Sequence, residues 1–381
     1  MKPGMTLHEM ATALQATKES KADYVGSTEK LYMNGEGQIE IDGVDGAFDV
    51  TNHAERQVTS WAKIPATYAD RCTKELLANN VNHWFREGID GKGAPARMIR
   101  TLAPNPYLDI EHQKIRAFVS EKYRVMDNHD VLEAVFPVLE EHKSKGNLVL
   151  DSVNVTERKF YIKAHLEGQD ELILRPEHEM GKGHDRYFRV RPAIEISNSE
   201  IGQGGYNVVP AFYDDGCTNL AVMRTLAAKR MHVGSAQSDG DLWKMLSDET
   251  QAISNEALMR QMADFARSAL DNSSETFLEV TNMLREKIGL EVKRPEATMK
   301  LVADQFGFNQ DETQGVLGAL LDRGDLSVFG IQAAVTQFAQ EDAVTYDRSS
   351  ELEVIGGDII ELPAQNWQRI LTQAEEMKVA A

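Results

Sequence analysis

Between Asn147 and Asp214 the hydrophobic period of the chain changes, and this limits the folds open to it. "NLVLDSVNVTERKFYIKAHLE", "RYFRVRPAIEISNSEIG" and "GYNVVPAFYDDG" alternate β-branched and aromatic residues with polar ones, punctuated by glycine. That is the period of strands with one buried face, and it predicts an antiparallel sheet. The flanks are spaced differently. Residues 5–20 place Leu7, Met10, Ala11 and Leu14 on one helical side, and Pro65 breaks a helical stretch over 51–88. An amphipathic helix runs from the turn at Asp127-Asn128 to Gly146, and from about Ala221 onward the spacing is helical. "KLYMNGEGQIEIDGV" reads as a hairpin turning at Asn34-Gly35, and "ARMIRTLAP" as a short strand. The expected fold class is α+β, with a central antiparallel sheet flanked by helices and a mainly helical, acidic C-terminal region. The expected divisions are 1–96 (N-terminal hairpin and helices), 97–232 (central α+β core with the sheet) and 233–381 (acidic helical region).

Charge separates these segments as clearly as period does. The net charge of −19 divides into −4, −1 and −14 over the three segments. Such a chain does not coat nucleic acid with its whole surface, although a local basic groove in the near-neutral middle is compatible with it. No apolar run approaches a membrane span, and the N-terminus has no secretory apolar core. Cys72 and Cys217 are too few for a disulfide framework or an all-thiolate zinc site. The expectation is a cytoplasmic protein with no membrane association, no cofactor and no metal.

The densest chemistry lies in "IEISNSEIGQGGYNVVPAFYDDGCTNLAV". Gly-rich loops cradle phosphate when Lys-Ser/Thr or a helix follows, but strand residues follow here, so a hairpin turn with positive φ at Gly202, Gly204 or Gly205 is expected. Glu195, Glu200, Asp214 and Asp215 have the oxygens a divalent cation wants, yet a hairpin carries Glu200 to its turn and Asp214 to its open end. Asn198, Ser199 and Glu200 are expected to satisfy backbone groups of that turn. His178, Glu179 and His184 lack the spacing of a zinc helix. Cys217 has no visible base and reads as a buried structural thiol.

"DRYFRVRP" is the better candidate surface. On a strand Tyr187, Arg189 and Arg191 share one face, and a ring beside two guanidiniums suits single-stranded nucleic acid. Arg100, Lys229 and Arg230 are expected to assist, and Arg97, Arg116, Lys122, Arg124, Lys163 and Arg224 could extend the basic surface.

Several stretches together carry a resemblance: "LLANNVNHWF", "MIRTL", "IRAFVSEKYRVMDNHDVLEAVFPVL", the hairpin segment above, "VFGIQAAVTQFAQ" and "ELEVIGGDIIELP". In this order, over nearly the whole chain, they resemble the phage/plasmid-like protein family, a domain of unknown function. Its signature would comprise Asn198, Ser199, Glu200, Gly202, Gly205, Cys217 and Asn219, with Leu220 departing from the glycine the family often has there. The resemblance implies a home in phages, prophages or mobile plasmids and assigns no catalytic residue. The function expected is a non-catalytic DNA-transaction protein of a mobile element, binding single-stranded nucleic acid, of annealing type and homo-oligomeric. The alternatives are a metal-dependent nuclease and a structural or interaction protein assembling through its helices.

Overall fold

In the computed structural model two six-stranded sheets share the chain; it describes residues 2–108, 110–123, 125–169, 171–174, 187–214, 219–224 and 247–377. The first sheet uses β1 (Lys21–Ser27), β2 (Leu31–Met33), β3 (Ile39–Ile41), β4 (Ala47–Val50), β5 (Ala96–Leu102) and β6 (Lys114–Ser120), in the order β1-β5-β6-β4-β3-β2. It is mixed, because β4 pairs with β6 in parallel while its other pairs are antiparallel. The segments read as a hairpin and a lone strand therefore belong to one sheet.

Helices α2 (Asn52–Trp61), α3 (Ala66–Ala69) and α4 (Lys74–Glu87) cover this sheet, and Pro65 stands at the break between α2 and α3. Val58, Val81 and Phe85 bury against Ile99, Ile115 and Phe118. Asn82 of α4 replaces a missing strand partner at β2: its Nδ2 donates to the Met33 carbonyl and its Oδ1 accepts from the Met33 N–H, both at 2.8 Å. A buried amide satisfied on both sides fixes helix to sheet edge.

The second sheet is the antiparallel one that the alternation predicts. It comprises β7 (Leu148–Val155), β8 (Phe160–Leu166), β9 (Glu171–Leu174), β10 (Tyr187–Asn198), β11 (Asn207–Asp214) and β12 (Asn219–Val222). The β10–β11 ladder runs from Val190 opposite Asp214 to Ser197 opposite Asn207, the expected hairpin. Along the other edge of β10, β9 pairs with Tyr187–Val190 and β8 with Ala193–Asn198. Ala221 and Val222, where helical spacing is expected to begin, instead lie in Asn219–Val222, an edge strand on β11.

Both faces of this sheet are covered, which is why all seven residues of β8 are buried. On one face lie α1 (Leu7–Ser20), opened by a Thr6/Glu9 capping box, α5 (Asn128–Ser144) and α6 (Asp248–Asp271), packing Leu14, Val135 and Met262 near Ile162, Ile194 and Ile196. On the other, α7 (Ser273–Ile288) and α10 (Val328–Phe338) pack Val280 and Phe329 against Phe188, Val190 and Phe212. Beside them α11 (Tyr346–Glu361) comes so close to β12 that a Cβ added at Gly357 would overlap the Val222 carbonyl. With α8 (Pro295–Phe306), α9 (Gln310–Arg323) and α12 (Ala364–Glu376), these helices enclose Trp367, whose Nε1 donates to the Ile359 carbonyl at 2.9 Å. The fold is α+β, and its acidic helical region forms part of the core. No helix among the described residues is long and apolar enough to cross a membrane.

Candidate functional site

The turn after β10 joins the two sheets, and buried polar residues gather around it. Gly202 (φ +82) and Gly204 (φ +112) take left-handed backbone there, while Gly205 does not. At Gly202 a Cβ would also press on Val119 and Gln57, at 3.1 and 3.3 Å, so the backbone sign favours glycine and the packing around it is tight. Ser199 caps the turn as expected: its Oγ accepts from the Gln203 N–H at 3.1 Å and donates to the Arg158 carbonyl at 2.9 Å. Asn198 and Glu200 do not serve their own turn. Asn198 Nδ2 donates to the Met126 carbonyl and to Asn128 Oδ1, and Glu200 accepts from the Asn128 N–H at 2.5 Å and from Arg116. They reach across to α5 and β6 because the loop is buried and its partners come from other elements.

Arg100 overturns its sequence reading. It is fully buried, donating from Nε to Asp23 at 2.9 Å, from Nη1 to the Glu200 carbonyl at 2.6 Å and from Nη2 to Asp127 at 2.8 Å. Burial alone would lower its pKa, but Asp23 and Asp127 outweigh it and hold the guanidinium above its ordinary value. Burial likewise pushes the Asp127 carboxyl up, but Arg100 and Lys21 bring it below the usual range. Arg100 therefore ties β5 to β1, α5 and the turn, and no guanidinium face remains for a ligand.

Arg116 and Lys163, placed by sequence on an extended basic surface, are buried as well. Lys163 Nζ donates to Ser350 Oγ at 2.8 Å and to Glu353, lies 3.9 Å from Glu195 Oε2 and sits 4.9 Å from the Tyr346 ring centroid. Burial pushes the Glu195 carboxyl up to about 7, with Lys163 opposing and Glu353 reinforcing the rise. Glu195 and Glu200 thus answer separate cations. Among the described residues, the one group of three with metal-ligand geometry is His129, Asp130 and Glu133 on α5, and Lys18 Nζ stands 3.3 Å from Asp130 there.

The face read from "DRYFRVRP" is present: Tyr187 and Arg189 are exposed, with Phe188 and Val190 buried behind them. Arg191 is drawn into the sheet. Its Nη1 lies 3.0 Å from His165 Nε2 and 3.4 Å from Glu167, and the His165 ring stacks on Tyr213 at 4.7 Å. Arg224 pairs with Asp358 at 2.6 Å. Lys229, Arg230, Cys217, Asp215, Arg124, His178, Glu179 and His184 lie outside the described residues, and for Asn219 only the strand position is described.

A groove that the sequence did not disclose opens on the outer side of the turn. It is open to solvent, about 710 Å³, and is walled by α2, the β5–β6 ladder, Tyr123, Gly202 and Gln203. At its floor the Arg97 guanidinium lies 5.7 Å from the Trp61 ring centroid and 5.8 Å from that of Phe118. Arg97 Nε and Trp61 Nε1 are buried and meet no acceptor among the described residues. Burial lowers the Arg97 pKa, with Glu121 opposing, and burial also lowers that of His53, leaving its imidazole neutral at pH 7. Such a floor can accept a flat ring and an anion at once.

No family model, no curated protein and no solved structure matches the chain.

Proposed function

We propose that the protein binds single-stranded nucleic acid in the groove between α2, β5–β6 and the Gly202–Gln203 turn. One observation carries this: Arg97 lies against two aromatic rings at the floor of an open groove, where its Nε and the Trp61 Nε1 have no acceptor among the described residues. Bases stack on such rings and phosphate oxygens accept from such donors. Lys159, beside Gly204 of the turn, adds positive charge that the global −19 conceals, and Arg56 on the groove wall would add its own on exchanging Asp70 for phosphate. Strand handling for a mobile element is the reading that joins this groove to the sequence resemblance, and it requires no catalytic group.

Fluorescence anisotropy with a labelled oligo-dT, titrated with salt, tests the reading. Affinity should fall as salt rises, with a shallow slope set by a few phosphates. Arg97→Ala should weaken binding about tenfold, roughly one stacking or charged contact. An Arg189→Ala/Arg191→Ala variant reports separately on the sheet face read from sequence. Equal affinity in wild type and Arg97→Ala would remove the groove from consideration.

A further inference from the structure

We propose that a second cavity, on the inner side of the same turn, is a binding site for a small organic carboxylate with an apolar body. This cavity of about 390 Å³ is lined by residues of α1, β6, the first residue of α5, the Val155–Arg158 turn and the Glu200–Ile201 segment. Its size lies in the range of small-molecule pockets. Met5, Leu14, Leu108, Ile110, Val155 and Ile201 give it apolar walls, and Lys114, Arg116 and Arg158 bring cations to it.

Arg116 carries the inference. It is 8 % exposed, and its Nη1 donates to Glu200. Its Nε and Nη2 are buried and meet no acceptor among the described residues. Those two nitrogens form one edge of the guanidinium, the edge whose parallel N–H bonds take a planar carboxylate at two points. The backbone singles out the same residue. Arg100 pairs with Ala117 and Thr101 with Ile115, so Arg116 is the extra residue of a β-bulge, a device that re-aims one side chain next to a binding site.

Charge and shape select the ligand. Three cations line the cavity beside two carboxylates, Glu157 and Glu200, and Lys114 stands 3.9 Å from Glu157. One further negative charge balances the set, whereas a phosphate dianion overshoots it beside Glu200. The apolar walls then take a hydrocarbon or aromatic body. The site is independent of the outer groove, from which the turn separates it.

Isothermal titration calorimetry on the full chain, with octanoate and inorganic phosphate as probes, decides the matter. Octanoate should bind one per chain, and phosphate at the same concentration should give no saturable heat. Arg116→Lys keeps the charge but loses the two-point edge, and should weaken octanoate at least tenfold. Leu108→Trp fills the cavity from a wall outside the ion pairs and should do the same. If Arg116→Lys fails to fold, Leu108→Trp decides alone. No octanoate binding, phosphate binding as tight as octanoate, or full octanoate affinity in Leu108→Trp would each overturn the proposal. Arg97→Ala should leave octanoate affinity unchanged, and a tenfold loss there would overturn the assignment to this cavity.

Discussion

Replacing Lys163 by methionine removes the cation that lies between Glu353 and Glu195 at the seam between β8 and α11. Glu353 is fully buried, and apart from Lys163 its carboxylate is met by Gln340 Nε2 at 3.3 Å. Stripping a buried carboxylate of its cation costs about 3–5 kcal/mol, since the desolvated charge stays behind. Removing both charges is much cheaper. In Lys163→Met/Glu353→Met the losses are the hydrogen bonds to Ser350 and Gln340, about 1 kcal/mol each or less. Glu195 then loses Lys163, which lowers its carboxyl, together with Glu353, which raises it, so burial keeps that carboxyl raised and Lys159 still opposes the rise. The double variant should therefore be more stable than the Lys163 single by about 2–3 kcal/mol. Urea unfolding at pH 7, followed by tryptophan fluorescence and far-UV circular dichroism, measures all three terms of the cycle. A Lys163→Met cost below about 1 kcal/mol, or a double variant as damaged as the sum of the singles, would refute the reasoning.

Three further outcomes follow from the same interior. Burial raises the folded-state pKa of Glu195, so its contribution is fully present below its unfolded value of 4.5 and is lost as pH rises through about 7. The stability difference between Glu195→Gln and wild type should accordingly grow in favour of the variant across that window; a flat difference curve contradicts the assignment. Arg100→Lys should cost about 2–4 kcal/mol by breaking the bonds to Asp23, Asp127 and the turn carbonyl, while oligonucleotide affinity stays unchanged in the fraction that folds. Gly357→Ala tests close packing against helix propensity: propensity alone predicts a gain of about 1 kcal/mol, and overlap with the Val222 carbonyl predicts a loss of about 1–3 kcal/mol. The sign of the change in melting temperature decides.

What could be read from the sequence was local. Alternation from Ile194 to Asp214 sets a hairpin that the structure contains, with Asp214 opposite Val190 at its open end, and Asp127 and Gly146 bracket α5 because caps are written in neighbouring residues. The first sheet was not legible as one, since β1 finds β5 some seventy residues away and β4 lies parallel to β6, and no short-range signal specifies either pairing. The same distance hid the fate of the cations. Arg100 lies in the buried half of β5 and Lys163 on β8, buried on both faces, where a charged residue in an alternating pattern no longer points to water. Their carboxylate partners, Asp23 and Glu353, lie 77 and 190 positions away. The candidate site was legible only in part: the glycines of the turn announced a tight bend, but Arg97 beside Trp61 and the bulge at Arg116 exist only once the ladders form. A bulge leaves no mark in composition, which is why the two unpaired nitrogens of Arg116 could not be foreseen.

The distance between Lys163 and Glu353 also sets a clock on synthesis. At ~5–20 residues per second the ribosome needs roughly 10–40 s to travel the 190 positions separating them. For that interval β8 emerges with an ammonium at its centre and no helix to receive it, so this sheet cannot close its second face until α11 has emerged. α11 must be translated before the sheet that carries β8 can finish folding. A nonsense mutation ahead of codon 353 would therefore leave an open, adhesive sheet instead of a smaller working protein, and a chaperone that holds the nascent sheet would find its longest dwell here.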